Sequence, residues 1–140
     1  MDLSKNKVQK EVAILEMQKF VEKWDDVKKE DYEIEKDYPH VLQAIQEGFL
    51  VIGPDMKPQL KLKYPIKTDE GNIAWEDVNF RTRIRPNDLA EITKGLDIGK
   101  FQVEYTLRCF AYLTGESKGM LNKLEKFDWK VIEQLATVFL

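Results

Sequence analysis

The first third of the chain carries apolar residues at three- and four-residue steps, and most of the residues between them are Lys, Glu and Gln. These apolar positions are Val8, Val12, Leu15, Phe20, Val21, Trp24 and Val27. A stripe with this spacing lies on one face of a helix with 3.6 residues per turn. The pattern therefore predicts an N-terminal amphipathic helix.

A charge-dense stretch with few aliphatic residues, KKEDYEIEKDY, follows this helix. Because such a stretch has little apolar surface to bury, it is interpreted as an acidic linker. Asp37 and Pro39 then favour the start of a short second helix that runs to Glu47. Gly48 is the expected stop, since glycine readily adopts the left-handed conformation that ends helices.

From Phe49 onward the period of the pattern changes to two, which is typical of strands. FLVIG leads into a turn that contains GPDMKP, and the stretch after it alternates apolar residues with lysines. DEGN supplies turn residues between this strand and a second alternating stretch, with its apolar positions at Val78, Phe80, Thr82 and Ile84. We predict two hairpins within residues 49–85, ended by Pro86.

The parity of the apolar positions changes within the second hairpin. Trp75 and Ile73 are odd-numbered, whereas the apolar positions from Val78 onward are even-numbered. A one-residue bulge at Glu76 and Asp77 would place both sets on one face, because a bulge shifts the alternation by one residue. The alternative is that Trp75 belongs to a loop. The solvent face is then basic, with Lys61, Lys63, Arg81, Arg83 and Arg85.

Beyond Pro86 the pattern is helical to Leu140. Asn87 is placed to cap a short helix, and Gly115 to close a longer one. Asp128 is placed to cap a final helix. The apolar stripe of that helix is Ile132, Leu135, Ala136 and Phe139.

Together these elements predict an α+β fold, in which a small antiparallel β-hairpin sheet packs with a mainly helical C-terminal half and is preceded by an N-terminal amphipathic helix. We expect residues 1–38 to form that helix and the acidic linker. Residues 39–140 are expected to form a single α+β domain, with hairpins at 49–85 and helices at 87–140.

Composition narrows the class of protein. The 140 residues are 43% hydrophobic and 34% charged, which is typical of a soluble globular domain. No stretch approaches the roughly 20 apolar residues that cross a bilayer, and the first residues lack the apolar core of a signal peptide. The formal net charge is −3, and only residues 57–85 are basic, so nucleic-acid binding is disfavoured.

Reactive side chains are sparse. His40 is the only histidine and Cys109 the only cysteine, so a Cys–His or Ser–His pair would have to use His40. Cys109 lies among apolar residues and is expected in the core. The carboxylates match neither a calcium loop nor a two-metal pattern. We therefore predict no catalytic residue, no metal site and no cofactor, and a protein that is not an enzyme.

The order of elements from residue 59 onward resembles a known family. The stretches that carry the likeness are QLKLKYPI (59–66), VNFRTRIRPNDLAEI (78–92), RCFAYLTGES (108–117) and LEKFDWKVIEQLATVFL (124–140). They are similar to the tail assembly chaperones of contractile-tailed bacteriophages, in which a hairpin leads to an "LR-P" step and the chain finishes on a helix ending in an apolar pair such as "FL". The N-terminal helix and the GPDMKP hairpin are not part of that pattern.

The resemblance implies a non-enzymatic role in the host cytoplasm. Such a protein binds the tape measure protein, with the tail tube protein as a second partner, until tube subunits polymerise, and it is absent from the finished virion. The candidate partner-binding residues are Val12, Leu15, Phe20, Trp24, Leu135, Phe139 and Leu140. The alternative for each of them is packing within the chain.

Two other classes of protein stay open. One is a structural virion adaptor or connector, and the other is a small nucleic-acid-binding protein that uses Arg81, Arg83 and Arg85. The sequence also leaves the oligomeric state open, with dimers or rings through the first helix as one arrangement.

Overall fold

The structure is a computed structural model that describes residues 8–97 and 99–140. Within these residues, seven helices and a three-stranded antiparallel sheet form an α+β fold, which confirms the predicted fold class. In chain order the elements are α1 (Lys10–Asp25), α2 (Asp31–Asp37), α3 (Pro39–Glu47), β1 (Leu50–Ile52), β2 (Pro58–Lys67), β3 (Ile73–Val78), α4 (Pro86–Thr93), α5 (Gln102–Thr114), α6 (Lys118–Leu121) and α7 (Lys126–Phe139).

The N-terminal helix α1 is present, and it buries only part of the predicted stripe, Phe20 and Val21 among them, together with residues outside that stripe. Its fully buried residues include Ala13, Met17 and Phe20, which recur at three- and four-residue steps and point towards α3 and α7. Val12 and Leu15 lie on the opposite side and are exposed. Two overlapping apolar stripes therefore run along α1, and only one of them faces the core.

The predicted acidic linker is wrong, because residues 31–37 form helix α2. Ile34 of α2 is fully buried in the core that α1, α3 and α7 share. Two polar contacts join α2 to α1: Lys10 Nζ lies 3.3 Å from a carboxylate oxygen of Glu35, and the Gln18 amide donates to Asp31 at 2.7 Å. The buried Ile34 and these contacts stabilise the charge-dense stretch, and the core includes residues on both sides of residue 38.

Helix α3 begins at Pro39, and its first amides are capped from the other end of the chain. The Gln134 side-chain oxygen accepts from the backbone N–H groups of His40 at 3.0 Å and Val41 at 3.1 Å. Asp37, the expected starting residue, is instead the last residue of α2. A long-range side chain thus satisfies donors that every helix leaves unpaired at its start.

The sheet has the order β1-β2-β3, with β2 in the centre. Between β2 and β3 the register breaks: Lys61 pairs with Asp77, and the next pair is Ile66 with Trp75. The prediction of a bulge at Glu76 and Asp77 is therefore wrong about the strand. The extra residues lie on β2, and Asp77 itself is paired. The break still brings Trp75 and Val78 to the buried side.

The second predicted hairpin is shorter than expected. Pairing in β3 ends at Val78, and residues 79–85 belong to no helix or strand, although Arg85 at their end has an extended backbone. The predicted alternation is nevertheless present, because Phe80, Thr82 and Ile84 are half-buried while the residues between them are exposed. We call residues 79–85 the arginine segment.

Helices α4 to α7 lie within the predicted helical region, with changes at two helix starts. Asn87 does not cap α4; the cap position is Arg85, whose N–H donates to the Asp88 carboxylate at 2.8 Å. Asp128 does not cap α7 either, because that helix begins at Lys126 and Glu125 holds the cap position. Asp128 reaches the sheet instead, as described below.

Candidate interaction surfaces

Four of the seven predicted partner-binding residues pack inside the chain. Phe20 and Leu135 are fully buried, while Trp24 and Phe139 are half-buried. The Phe139 ring centre lies 5.6 Å from that of Phe20 in an edge-on arrangement and 5.9 Å from that of Trp24. Phe80 stacks on the same ring at 6.2 Å. Phe139 therefore joins α7 to α1 and to the arginine segment, at distances favourable for aromatic pairs.

Trp24 also fixes the tip of the first hairpin. Its indole N–H donates to the backbone carbonyl of Met56 at 2.6 Å, and Met56 has a left-handed backbone with φ of 62°. A buried indole normally needs such an acceptor. Both the ring face and the N–H group of Trp24 therefore have partners within the chain.

The remaining three predicted residues are at the surface. Val12, Leu15 and Leu140 expose 45%, 51% and 46% of their area. Val12 and Leu15 are three residues apart and therefore neighbours on the solvent side of α1. Binding of a partner by these residues stays a prediction.

A groove between α5, α6 and α7 was not predicted from the sequence. It has a volume of about 470 Å³. Its lining residues are Gln102, Val103, Thr106, Leu107, Leu121, Asn122, Leu124, Trp129 and Glu133. We call it the α5–α7 groove. Its floor is apolar, with Leu121 fully buried, whereas Val103 at its rim is 75% exposed.

The helices that form the groove are held together by polar contacts. Glu104 of α5 accepts from Lys118 at the start of α6 and from Arg108 at 3.2 Å. These two cations hold the pKa of the Glu104 carboxyl below its usual range. Arg108 also donates to the carbonyls of Ile92 at 3.1 Å and Lys94 at 2.9 Å. These carbonyls lie at the C-terminal end of α4, where a positive charge stabilises the helix.

Trp129 of α7 forms one wall of the groove and is held by an aromatic contact. Trp129 packs on Phe110 of α5, with ring centres 4.7 Å apart. Lys126 and Glu133 lie three residues before and four residues after Trp129, so they flank it on one helical face. The groove therefore combines an apolar floor with polar side chains, including the charged Glu133.

Asp128 is a buried carboxylate, only 1% exposed, that binds the backbone of β2. Its two oxygens accept from the N–H groups of Lys63 at 2.9 Å and Tyr64 at 3.0 Å. Both amides lie between Lys61 and Ile66, where β2 has no pairing with β3. Burial raises the pKa of Asp128, and these two donors act in the opposite direction. The carboxylate satisfies donors that the register break leaves unpaired.

The arginine segment forms an exposed basic surface. Arg81, Arg83 and Arg85 are exposed. The Arg81 guanidinium lies 4.4 Å from the centre of the Tyr112 ring, which is a cation–π contact. The N–H of Arg81 donates to the Leu113 carbonyl at 2.8 Å, so the segment rests on the end of α5.

Groups that could act chemically have structural partners. The His40 ring nitrogen Nδ1 lies 3.0 Å from the Gln134 amide nitrogen, and Cys109 is buried in the core, as predicted, where burial raises the pKa of its thiol. Among residues 8–97 and 99–140, no group of three or more His, Cys, Asp or Glu side chains is placed to hold a metal ion. The helices in those ranges are all too short or too polar to cross a membrane.

Comparisons with protein-family models, curated proteins and solved structures found no match to this chain. The fold and its surfaces define a small α+β protein with an open groove lined by both apolar and polar side chains and with an exposed basic segment.

Proposed function

We propose that this chain is a tail assembly chaperone of a contractile-tailed bacteriophage, a non-enzymatic protein that binds the tape measure protein and keeps it in solution until the tail tube polymerises. It acts in the host cytoplasm and leaves the assembly before the virion is complete. The sequence resemblance over residues 59–140 supports the family, and the α5–α7 groove supports the mode of binding.

The α5–α7 groove is the observation that carries this proposal. An amphipathic helix binds by laying its apolar face into a groove of this kind, and the tape measure protein of such phages is a long helical chain. Val103 and Leu107 lie one turn apart on α5, and Trp129 faces them from α7. Covering Val103 would remove a largely exposed apolar side chain from water, which favours association.

The proposal is tested by co-expression with the product of the long helical reading frame expected beside this gene. The measurement is the fraction of that partner that stays in the supernatant and co-purifies with this protein. Wild type should keep the partner in solution, and Val103→Glu should reduce the recovered fraction about tenfold, because a charge would face the apolar side of the bound helix. Recovery unchanged by Val103→Glu contradicts binding in the groove.

A matched control is available in the sheet. Val51 of β1 is 52% exposed and does not line the α5–α7 groove, so Val51→Glu should leave recovery unchanged. Val12→Glu and Leu15→Glu test the surface of α1 predicted from the sequence: a loss of recovery there, with none at Val103, moves the binding surface to α1.

A structural adaptor of the virion is separated from a chaperone by mass spectrometry of purified particles. The proposal requires that this protein be absent from them. Its presence at a fixed number of copies per particle would contradict the chaperone role.

A further inference from the structure

The arginine segment has the side-chain arrangement of a strand. Phe80, Thr82 and Ile84 are half-buried, and the arginines between them point to solvent. The segment continues directly from β3, which ends at Val78. One face therefore already packs on the protein, as in a sheet with one buried and one wet side.

The backbone of the segment is fixed at both ends and open in the middle. Arg81 N–H donates to the Leu113 carbonyl at 2.8 Å, and Arg85 N–H donates to the Asp88 carboxylate at 2.8 Å. Between these anchors, the amides of residues 82–84 donate to no group in the part of the chain that the structure describes. Alternate N–H groups of an extended backbone point to opposite edges, so those of Thr82 and Ile84 lie on the edge opposite that of Arg81, and this edge is a ready template for pairing with another strand.

The charge on the segment selects the strand that would pair with it. Alternate side chains on an extended backbone are about 7 Å apart, so Arg81, Arg83 and Arg85 form an evenly spaced basic row. Arg81 is oriented by the Tyr112 ring. Arg83 and Arg85 form no side-chain ion pair within 4 Å among the described residues. Directly opposed residues of paired strands share a face, so acidic residues at alternate positions would meet the arginines.

We infer that the arginine segment is a docking site for an extended acidic segment of a partner protein, which adds to residues 79–85 as a strand. Backbone hydrogen bonds to the open amides supply affinity, and carboxylates opposite the arginines supply specificity. A nucleic acid is the less suitable occupant, because it has no peptide backbone that could continue the hydrogen-bond pattern of a strand along the open amides. This site is separate from the α5–α7 groove and does not depend on the chaperone proposal.

The test uses the full-length protein and a short fluorescent peptide in which glutamate alternates with threonine and valine, with binding followed by fluorescence anisotropy. Wild type should bind the peptide, and Arg81→Gln/Arg83→Gln/Arg85→Gln should weaken binding about tenfold or more. The matched control carries three exposed lysines outside the segment changed to glutamine, Lys94→Gln/Lys100→Gln/Lys123→Gln. It has the same net charge as the arginine variant and should bind within about twofold of wild type.

Two further probes separate strand addition from simple charge attraction. A peptide of the same composition with its glutamates in one block should bind at least about fivefold more weakly, because its carboxylates cannot alternate with the arginines. Bound peptide should also slow hydrogen exchange at the amides of Thr82 and Ile84, which share one edge of the extended backbone. Equal binding of the two peptides, no slowing at these amides, or tighter arginine-dependent binding of a single-stranded oligonucleotide would each overturn the inference.

Discussion

The chain leaves regular strand pairing at two places, and it treats its open amides differently at each. On β2, Lys63 and Tyr64 lie opposite no β3 partner, and the buried Asp128 carboxylate accepts from both of their N–H groups. In the arginine segment, the amides of residues 82–84 have no acceptor in the described part of the chain, and their neighbours are exposed arginines.

The comparison shows which irregularity is structural and which is available for binding. A buried donor without a partner costs about 1–3 kcal/mol, so the β2 break requires an internal acceptor, and α7 provides it. An exposed donor can bond to water at little cost and exchange that water for a partner strand. The break in β2 is therefore a structural contact between the sheet and α7. The arginine segment is an open edge, whose amides are available to a partner.

Removing the internal acceptor is the strongest way to break this comparison. Asp128→Asn keeps the size of the side chain but replaces one accepting oxygen with an NH₂ group that faces another donor. We expect a loss of about 3 kcal/mol in the free energy of unfolding, measured by denaturant titration. Asp69→Asn, the same substitution at an exposed position in the turn after β2, should change it by less than about 0.5 kcal/mol. Equal effects of the two variants would show that the β2 amides do not need Asp128.

Gln134 provides a second internal acceptor from α7, for the start of α3. Gln134→Ala should cost about 1–2 kcal/mol in the free energy of unfolding, the usual cost of losing a helix cap. Gln43→Ala, at an exposed position on α3, is the control and should be nearly neutral. A neutral Gln134→Ala would mean that water replaces the cap, and α7 would then have one structural acceptor fewer.

Two arginines can be compared in the same way, one with partners inside the chain and one exposed. Arg108 donates to Glu104 and to two carbonyls at the end of α4, whereas the Arg83 side chain is exposed on the open segment. Arg108→Gln should lower the melting temperature by several degrees, equivalent to about 1–2 kcal/mol, and Arg83→Gln should change stability by less than about 0.5 kcal/mol. A larger effect at Arg83 would assign the arginine segment a role in folding.

The smallest expected effect is a pH dependence at Asp128. Burial raises the pKa of this carboxyl in the folded state, so between its ordinary value of about 4 and the raised value the folded protein binds a proton that the unfolded chain does not. This contribution to stability is fully present below the ordinary value and is lost as pH rises through the raised one. The stability difference between wild type and Asp128→Asn should therefore grow as pH falls from 7 towards 4. A difference that shrinks would show that the two N–H donors outweigh burial.

Local patterns predicted the elements of this fold better than they predicted the faces and partners of those elements. Both the 12–15 stripe and the 13–17–20 stripe of α1 fit a helix. Which of the two stripes is buried depends on packing against α3 and α7, and these helices lie far from α1 along the chain. Asp128 fits a local helix cap equally well, and only the register break in β2 reveals its actual partners.

The arginine segment and the α5–α7 groove show the same limit at the surfaces. The alternation in residues 79–85 predicted an extended backbone, but alternation carries no information on whether a neighbouring strand exists. The groove is lined by residues 102–133 from three helices, so no short stretch of sequence contains its pattern. What could have suggested it is Val103, which lies seven residues before Phe110 and therefore continues the apolar face of α5 towards the start of that helix.

Hydrogen exchange of the free protein, resolved to single amides, tests the central comparison most directly. The amides of Lys63 and Tyr64 should exchange only through opening of the structure, several orders of magnitude more slowly than an unstructured chain, because they are buried against Asp128. Those of residues 82–84 should exchange nearly as fast as an unstructured chain. Equal protection at both places would mean that the arginine segment is closed within the chain, and the account of it as an open edge would be wrong.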